Sequence, residues 1–487
     1  MAVVGRDQRV VSLSTAIGQD QFVLAGFTGT EGISQLFRFS LDLLAENDRT
    51  VVFDRLIGQP ASIDLSLPQG GSRFFSGIVA RISQGARGPR FTSYAVELVP
   101  RLWLLTRRQG SRIFQHKTVP DIVREVIGDA SDVDDRIQGG FEQRNYCVQY
   151  RESDFNFVSR LMEEEGIFYF FRHEQGKHTL VLGNTPAAHA DVPGTRVVLF
   201  DANGSSKTGA ITDWTKTQEL RSGKFTLRDH NFELPDSNLE ASALIQQSVI
   251  AGQVTHLLRI ASNDKLELYD FPGGYAQRFD GIDKGGHEQP EELQKVFPEA
   301  RRTVAIRMAE EAMQSLVIQG SSDCRQLTGG HRFTLSGHFN ADGGYVITSV
   351  VHAARVHDPQ AGSLTYANQF TCIPEALPYR PTRTTPRPTI PGTQTAVVVR
   401  PADAEIYPDK YGRVKVQFHW DREGKKDEDS SCWIRVAQPL SGSGQGMFWI
   451  PEKDDEVLVA FEHGDPDRPY IVGSLFNPRR PPPRTAN

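Results

Sequence analysis

The stretch YGRVKVQFHWDREGKKDEDSSCWIRV, residues 411–436, begins with a strict alternation of apolar and polar side chains. In an extended strand that alternation separates two faces. The apolar face comprises Val414, Val416, Phe418 and Trp420. The other face comprises Arg413, Lys415, Gln417 and His419. A basic strand face beside aromatic side chains is typical of a barrel that binds nucleic acid. The rest of the sequence has to show whether the protein is a nucleic-acid-binding protein, an enzyme or a part of a larger assembly.

Five apolar segments within about 80 residues predict a small Greek-key barrel over 394–478, of the oligonucleotide/oligosaccharide-binding (OB) type. They read TAVVV, GRVKVQFHW, CWIRVAQP, EVLVAF and YIVGSLF. The segment DREGKKDEDS is then a solvated hairpin tip. In GDPDRP, Gly464 tolerates a positive φ and Pro466 stiffens the return into the last strand.

The segment EVLVAF is apolar on both of its faces. Leu458 and Ala460 alternate with Val457, Val459 and Phe461. A small barrel with such a strand fills its inside with one face and buries the other face against a neighbour. The alternative is that loops of the same chain cover the outer face.

The charge of the chain argues against nucleic acid. The formal net charge is −6, and residues 395–478 hold ten Lys and Arg against fifteen Asp and Glu. Phosphate contacts supply most of the affinity of a nucleic-acid-binding barrel, which therefore needs a positive groove. Pairing with acidic residues of the same chain, or of a neighbouring one, explains the basic strand face better.

The length and composition predict several β-rich units. A chain of 487 residues exceeds one hydrophobic core, and its 43 Gly and 28 Pro indicate many turns. The clearest boundary is PEALPYRPTRTTPRPTIP, residues 374–391, in which six of eighteen residues are proline. We predict a semi-rigid linker over 374–393, a larger region over 1–373 before it, and a disordered tail over 479–487.

Three helices are predicted within residues 1–373. The first lies near 118–128, with Pro120 in its first turn and Gly128 after its end. The second lies near 153–166, with Ser153 as N-cap and Gly166 as its stop. The third lies near 298–315 in PEARRTVAIRMAEEAMQS. The predicted fold class is therefore mainly β with minor α.

Motifs of catalysis are missing from the sequence. It contains no G-x-S-x-G, H-E-x-x-H or P-loop pattern. Glu163, Glu164 and Glu165 follow a helix and predict a charged, solvated turn instead of an acid/base pair. We predict no enzyme activity, no catalytic residue and no cofactor.

Histidine and cysteine spacings do not predict a metal site. The pairs His331/His338 and His352/His357 are seven and five residues apart, which puts each pair on opposite faces of a continuous strand. Four scattered cysteines without a C-x-x-C pattern predict reduced, partly buried thiols; they are Cys147, Cys324, Cys372 and Cys432.

The first residues do not resemble a secretory signal, because charged side chains interrupt the apolar ones and no small-residue cleavage site follows. The longest apolar run, IFYFF at 167–171, is far shorter than the ~20 residues of a membrane helix. We predict that the protein is made and folded in the cytoplasm and that any export needs no cleaved signal.

Several long motifs, in order, resemble the VgrG proteins, the trimeric tip spikes of bacterial type VI secretion systems. The resemblance runs from about residue 10 to about residue 478. The motifs are SDFNFVSRLMEEEGIFYFF, LYDFPGGY, FNADGGYVITSVVHAARVHDP, DKYGRVKVQFHWDREGKKDEDSSCWIRVAQP and IPEKDDEVLVAFEHGDPDRPYIVGSLFN.

The resemblance implies a hub over 1–373, built from two barrel-like domains with helical insertions and similar to the hub of contractile phage tails, followed by the five-stranded barrel. Three copies would assemble about an axis. The trimer would contact a hexameric tube protein (Hcp-like), baseplate components, a PAAR-repeat tip protein, and effectors with their adaptors. It would cross the target membrane mechanically when the sheath contracts, and would bind no nucleic acid.

The residues expected to shape this assembly are structural. We expect a hub turn at Tyr269, Pro272, Gly273 and Gly274. We expect the barrel to depend on Gly412, Arg413, Trp420, Asp421 and Trp433, together with the turn at Gly464 and Pro466.

Three other functions stay open. The first is the hub of a contractile phage tail or of a phage-like extracellular injection particle, which shares the same physics. The second is a tail-associated lysozyme, which needs an added catalytic domain. The third is the nucleic-acid barrel. In addition, VgrG proteins usually continue past SLFN into a long triple-stranded β-helix, whereas here PRRPPPRTAN follows, so the needle length and any fused effector are left open.

Overall fold

The computed structural model describes residues 10–18, 21–204, 209–358, 363–401 and 407–483. The fold is mainly β with few helices, as the sequence predicts. The strands of the first half are β1 Val11–Thr15, β2 Val23–Gly32, β3 Arg38–Glu46, β4 Pro60–Ser66, β5 Ser72–Arg87, β6 Phe91–Val99, β7 Gln109–Phe114, β8 Val133–Arg136, β9 Cys147–Ser153, β10 Phe168–Glu174 and β11 Lys177–Gly183.

The second half of the hub contributes further strands and the last two helices. Its strands are β12 Val197–Leu199, β13 Ile211–Gln218, β14 Lys224–Arg228, β15 Glu240–Leu244, β16 Ser248–Ala251, β17 Val254–Leu257, β18 Glu267–Asp270, β19 Leu316–Ser322, β20 Arg332–Ser336, β21 Gly343–Asp358 and β22 Ser363–Pro374. The α-helices of the hub are α1 Val119–Ile127, α2 Asp154–Glu165, α3 Pro290–Gln294 and α4 Val296–Gln314.

Local sequence explains where the first two helices begin. The Thr118 side chain accepts a hydrogen bond from Asp121 N at the start of α1, and the Ser153 side chain accepts one from Asn156 N at the start of α2. Helix α2 ends at Gly166, which has a φ of 67°. Helix α4 occupies the region predicted near 298–315, whereas the short helix α3 before it was not predicted.

One sheet runs through both halves of the hub. Its strand order is β1-β4-β5-β6-β3-β2-β21-β22-β19-β13, with β20 attached to β21 and β12 to β20. The seam between the halves is the antiparallel pairing of β2 with β21, from Gly26 opposite Arg355 to Gly32 opposite Ser349. One apolar core lies in each half, and a third core packs α4 against the sheet β15-β14-β18.

The C-terminal region is the predicted five-stranded OB-type barrel. Its strands, together with a small hairpin (β26 and β27), are β23 Gln394–Val399, β24 Lys415–Phe418, β25 Arg435–Val436, β26 Ser441–Gly442, β27 Gln445–Gly446, β28 Glu456–Phe461 and β29 Pro469–Leu475. The sheet order is β24-β23-β28-β29-β25, and a bridge between Val414 and Ile434 joins its two ends.

The long strand that we expected over 412–420 is wrong in length, because β24 covers only four residues. Phe418 O accepts a hydrogen bond from Asp421 N at 3.1 Å, so the chain turns directly after β24. At the other end, Gly412 N donates to Asp409 O at 3.0 Å within a second turn. Both turns form because side chains of this segment bond back to the backbone around them.

The proline-rich segment predicted over 374–393 connects β22, which ends at Pro374, to β23, and residues 375–393 form neither helix nor strand. It does not hang free, since Thr384 N and Thr385 N donate to the Glu163 carboxylate at 3.2 and 3.0 Å. Of the tail predicted over 479–487, residues 484–487 lie outside the described residues. Arg479 N and Arg480 N donate to Asn477 Oδ1 just before it. Within the part of the chain described, no helix has the length and apolarity needed to cross a bilayer.

Candidate functional site at the junction of hub and barrel

Arg413 ties the barrel to the hub through buried ion pairs. Its terminal nitrogens donate to both carboxylate oxygens of Asp280 at 2.9 and 2.8 Å, and its Nε donates to Asp409 Oδ2 at 2.5 Å. Burial disfavours the charged guanidinium, but Asp280 and Asp409 raise the pKa of Arg413 above its usual value. Arg413 thus pairs with acids of its own chain, one of the two alternatives drawn from the sequence.

Lys415, the second basic residue of the strand, is also buried. Its Nζ donates to the carbonyl oxygens of Lys284 and Glu428 at 2.9 and 2.6 Å, and it lies 4.7 Å from the centre of the Trp433 ring. Burial lowers the pKa of Lys415. The Trp433 Nε1 in turn donates to the carbonyl of Asp283 in the hub at 2.8 Å. Because Arg413 and Lys415 both point inward, this strand offers no basic surface to phosphate groups.

Trp420 forms the corner of the barrel that faces β9. Its ring stacks on Phe418 at 5.2 Å and meets Tyr150 edge-on at 5.8 Å, while its Nε1 donates to Gln394 Oε1 at 2.9 Å. The neighbouring Asp421 accepts hydrogen bonds from the backbone of Glu423 and Gly424, at 3.0 Å each, and so fixes the turn after β24.

Two glycines of the barrel stand where a side chain has no room. Gly412 has a φ of 71° and lies against the Phe448 ring. Gly464 has a φ of 73°, and a Cβ there would lie 2.6 Å from Cγ2 of Thr389 in the linker. Gly464 O also accepts a hydrogen bond from Ile390 N at 2.8 Å, and the buried Pro466 follows in the same turn. The GDPDRP turn therefore packs on the linker.

The LYDFPGGY segment ends β18 and turns into the core of the hub. Tyr269 is exposed, Pro272 is half-buried, and Gly273 N donates to Arg228 O at 2.8 Å. A Cβ on Gly273 would collide with the Tyr275 ring, and Gly274 has a φ of 74°. These glycines let the completely buried Tyr275 fold back beneath the turn.

The prediction of a solvated turn at the end of α2 is wrong for two of its three glutamates. Glu164 and Glu165 are 6% exposed, and Arg144 Nη2 contacts both carboxylates at 2.8 and 2.7 Å. Glu165 also pairs with Arg278 at 3.1 Å and with Arg302 at 2.5 Å. These carboxylates can be buried because arginines from elsewhere in the hub surround them. The local sequence around the glutamates does not predict that arrangement.

Arg387 of the linker joins this cluster to the barrel. Its Nε lies 3.0 Å from Glu164 Oε1 and its Nη1 lies 3.1 Å from Asp465 Oδ2 in the GDPDRP turn. Beside it, Val148 N of β9 donates to Asp467 Oδ1 at 2.6 Å. Hub, linker and barrel are thus connected by charged side chains at one place.

The charges at this junction have opposite effects on its acids. Burial alone would raise the pKa of Glu165, but Arg278, Arg144 and Arg302 lower it to about 2. For Asp467, burial and the nearby Asp465 carboxylate raise the pKa to about 6. The glutamate is therefore held ionised, whereas the aspartate is poised near neutral pH.

A second buried polar cluster lies at the β2–β21 seam. The Glu31 carboxylate accepts from Arg73 Nη2 at 2.7 Å and contacts His352 Nε2 at 3.1 Å and His173 Nε2 at 3.4 Å. Burial would raise the pKa of Glu31, but Arg73 and the two histidines hold it well below its usual value. This is a structural use of His352, and the described residues contain no group of three or more side chains that could hold a metal ion.

The other candidate histidines differ in burial, and the cysteines contribute packing. His331 is buried and its Nδ1 lies 3.0 Å from Gly329 O, whereas His357 is exposed. The four cysteines are free and buried, more completely than we predicted.

Sequence reasoning singled out Arg413 but missed its hub partner Asp280, as well as Arg144 and Arg387. One signal was available. The linker carries arginines three and four residues apart at 380, 383 and 387, and the end of α2 carries three consecutive glutamates. Because these two segments carry opposite charges, they are candidates for pairing.

Comparison with known proteins agrees with this architecture. Residues 30–358 match the family described as phage tail baseplate hub (GPD), and residues 394–476 match the type VI secretion system/phage-baseplate injector OB domain. The type VI secretion system spike protein VgrG1a of Pseudomonas aeruginosa is 37% identical over 96% of this chain and 70% of its own length. The chain belongs to the VgrG family.

A second VgrG protein of Pseudomonas aeruginosa, spike protein VgrG1b, is 38% identical over 97% of this chain. The chain spans 61% of the length of that relative. Among solved structures, an E. coli protein described as a component of the type VI secretion system, with structural similarity to the T4 bacteriophage tail proteins gp27 and gp5, matches with a TM-score of 0.64 at 20% identity. That match covers 95% of this chain and 99% of the other, and it supports the VgrG fold.

Proposed function

We propose that this VgrG protein is the structural, non-enzymatic spike and hub of a type VI secretion system, working as a homotrimer. The family relationship supports the role. The observation that supports a trimer is the set of apolar side chains exposed on the outer surface of the barrel, since soluble monomers rarely expose large apolar patches.

All but one of the large exposed apolar side chains described in the barrel belong to two segments, the exception being Tyr411. The first comprises residues 437–449, which begin beside β29, where Ala437 N donates to Ile471 O at 2.8 Å. The exposed apolar side chains on these segments are Leu440, Met447, Phe448, Trp449, Val472, Leu475 and Phe476. On β28, the outward-facing Leu458 and Ala460 are only half-buried, while Val457 and Val459 fill the inside. Sister copies that cover these side chains would remove them from water.

The remaining roles follow from the family. The trimeric hub docks on an Hcp-like hexameric tube and on baseplate components, and the barrel end leads toward a PAAR-repeat tip with its effectors and adaptors. The protein folds in the cytoplasm and leaves it by injection. The joint described above suits a part that transmits force, because the hub, the linker and the barrel share buried ion pairs.

Native mass tests the proposal. We expect a species of about three times 54.3 kDa by mass photometry. The substitution Phe448→Asp combined with Phe476→Asp should shift it toward monomer, whereas Ile57→Asp, an exposed apolar residue of the hub, should leave the mass unchanged. A monomer for the unmutated chain at micromolar concentration would contradict the trimer.

The second candidate is the hub of a phage tail or of a phage-like injection particle, because the descriptions of both matching families also name the phage baseplate. The neighbouring genes distinguish the two. Genes for a secretion sheath and membrane complex support the first, and genes for a capsid or a tail-fibre set support the second.

A further inference from the structure

An open groove of about 720 Å³ lies beside the junction, where β7 and the end of β9 meet the turn after β24. Four of its ten lining residues are arginines; they are Arg108, Arg112, Arg151 and Arg422. Asp154 and Glu423 are the acids among its lining residues. The groove is therefore cationic on a chain whose net charge is −6.

Two of the four arginines are not used inside the molecule. Asp154 pairs with Arg108 at 2.9 Å and with Arg112 at 3.0 Å. Arg151 and Arg422 are exposed, and neither guanidinium has an ion pair or hydrogen bond with another described residue. Arginine is the residue that best matches a carboxylate, because its donors can bind both oxygens at once.

The groove walls are fixed by contacts of their own. Arg151 has a φ of 49°, its N donates to Ser111 Oγ at 3.1 Å, and its carbonyl accepts from Gln109 Nε2 at 3.0 Å. A non-glycine residue in this conformation is strained, and such strain is common where a side chain has to be presented to a ligand. Trp420 also lines the groove, and because its Nε1 is already bonded to Gln394, the indole offers an apolar surface there.

We propose that this groove binds an acidic, extended segment of a partner protein. Carboxylates of the segment pair with Arg151 and Arg422, and its backbone lies along the Trp420 ring. A volume of this size accommodates several residues of a peptide. Arg108 and Arg112 converge on the Asp154 carboxylate and are already paired. Arg151 of the hub and Arg422 of the barrel are therefore the two guanidiniums left to bind carboxylates of the segment.

Nucleic acid is a poorer occupant. A strand longer than the groove would continue over the barrel, where fifteen acidic residues oppose ten basic ones in 395–478. Repulsion there would offset the phosphate contacts in the groove. A short acidic segment avoids that surface.

The test uses fluorescence anisotropy with the whole chain and a fluorescein-labelled decapeptide of alternating aspartate and glutamate. We expect binding that weakens with ionic strength and falls about tenfold or more in the double variant Arg151→Glu and Arg422→Glu. The matched control Arg55→Glu and Arg81→Glu changes the net charge equally at two exposed arginines outside the groove, and should bind like the unmutated protein.

Three results would overturn the proposal. They are no binding by the unmutated chain, equal loss in both double variants, and binding of a decathymidylate that exceeds peptide binding. Native mass is measured on the same samples. If the groove variant alone loses the oligomer, the groove is a contact between copies of this chain and not a peptide site. If no sample forms a trimer but the peptide result holds, the proposed function fails and the groove stands.

Discussion

Arg413 and Asp280 form a two-point ion pair across the junction of barrel and hub, with N–O distances of 2.9 and 2.8 Å between residues 133 positions apart. Both side chains are buried, at 2% and 6% exposure. A buried pair of this kind adds little over apolar packing, but the loss of one partner is costly because the other charge stays buried. The pair therefore makes the docking of the barrel specific.

Replacing Arg413 by methionine should destabilise the protein strongly. Asp280 and Asp409 would then be buried without their counter-charge, so the free energy of unfolding should fall by about 3–5 kcal/mol. Chemical denaturation measures this change. Arg435→Met serves as the control, because Arg435 is exposed and lies over the Phe232 ring, and it should cost about 1 kcal/mol or less. Equal effects of the two substitutions would contradict the assigned role.

Glu165→Gln should weaken the protein at neutral pH and have little effect in acid. The arginines lower the folded-state pKa of Glu165 from the usual 4.5 to about 2. A lowered pKa contributes stability that is present above about 4.5 and is lost as the pH falls toward about 2, so the substitution should cost roughly 3 kcal/mol at pH 7. Denaturation at a series of pH values checks this.

The neighbouring Glu163 provides a comparison, since burial raises its pKa even though Thr385 and Thr384 donate hydrogen bonds to it. The difference in the free energy of unfolding between Glu163→Gln and the unmutated protein should therefore change with pH in the opposite sense to that for Glu165→Gln. The same pH trend for both glutamates would be incompatible with the charges described at the end of α2.

Asp467→Asn should stabilise the protein above pH 6 and be neutral below pH 4. Burial and Asp465 raise the folded-state pKa of Asp467 from 3.8 to about 6. A raised pKa gives stability that is complete below about pH 3.8 and is lost as the pH rises through about 6; the loss is at most about 3 kcal/mol. Asparagine cannot ionise and so avoids this loss, while it keeps the oxygen that accepts a hydrogen bond from Val148 N. The melting temperatures of Asp467→Asn and of the unmutated protein should diverge as the pH rises across this range. The control Asp236→Asn, at an exposed position, should melt like the unmutated protein at every pH.

Gly464→Ala should loosen the contact between the barrel and the linker. The residue has a φ of 73°, and the new Cβ would lie 2.6 Å from Thr389 Cγ2, so we expect a loss of about 1–3 kcal/mol. Gly473→Ala, on the strand that follows, meets nothing within 4 Å and should be tolerated. Limited proteolysis should cut the linker faster in the first variant only. Similar proteolysis of both variants would argue that the turn does not hold the linker.

Sequence patterns predicted the local features and missed the long-range ones. The caps at Ser153 and Gly166 are set by neighbouring residues, so the limits of α2 could be inferred. The burial of Glu164 and Glu165 could not, because it depends on arginines up to 223 positions away along the chain. Alternation predicted a basic face that includes Arg413, and the charge balance predicted acidic partners in the same or a neighbouring chain. Neither pattern identified Asp280 of the hub as the partner, because that pairing depends on how the barrel docks on the hub.

The seam between β2 and β21 has a mechanical consequence. Its rungs run from Gly26–Arg355 to Gly32–Ser349 and join segments more than 300 residues apart, so the ends of the hub meet in one ladder. A pull directed along these strands strains every rung simultaneously, in shear, and none can peel open before the rest. In the proposed spike, a load directed along these strands would thus be borne by backbone amides collectively, and severing the polypeptide between the two halves would not by itself part them.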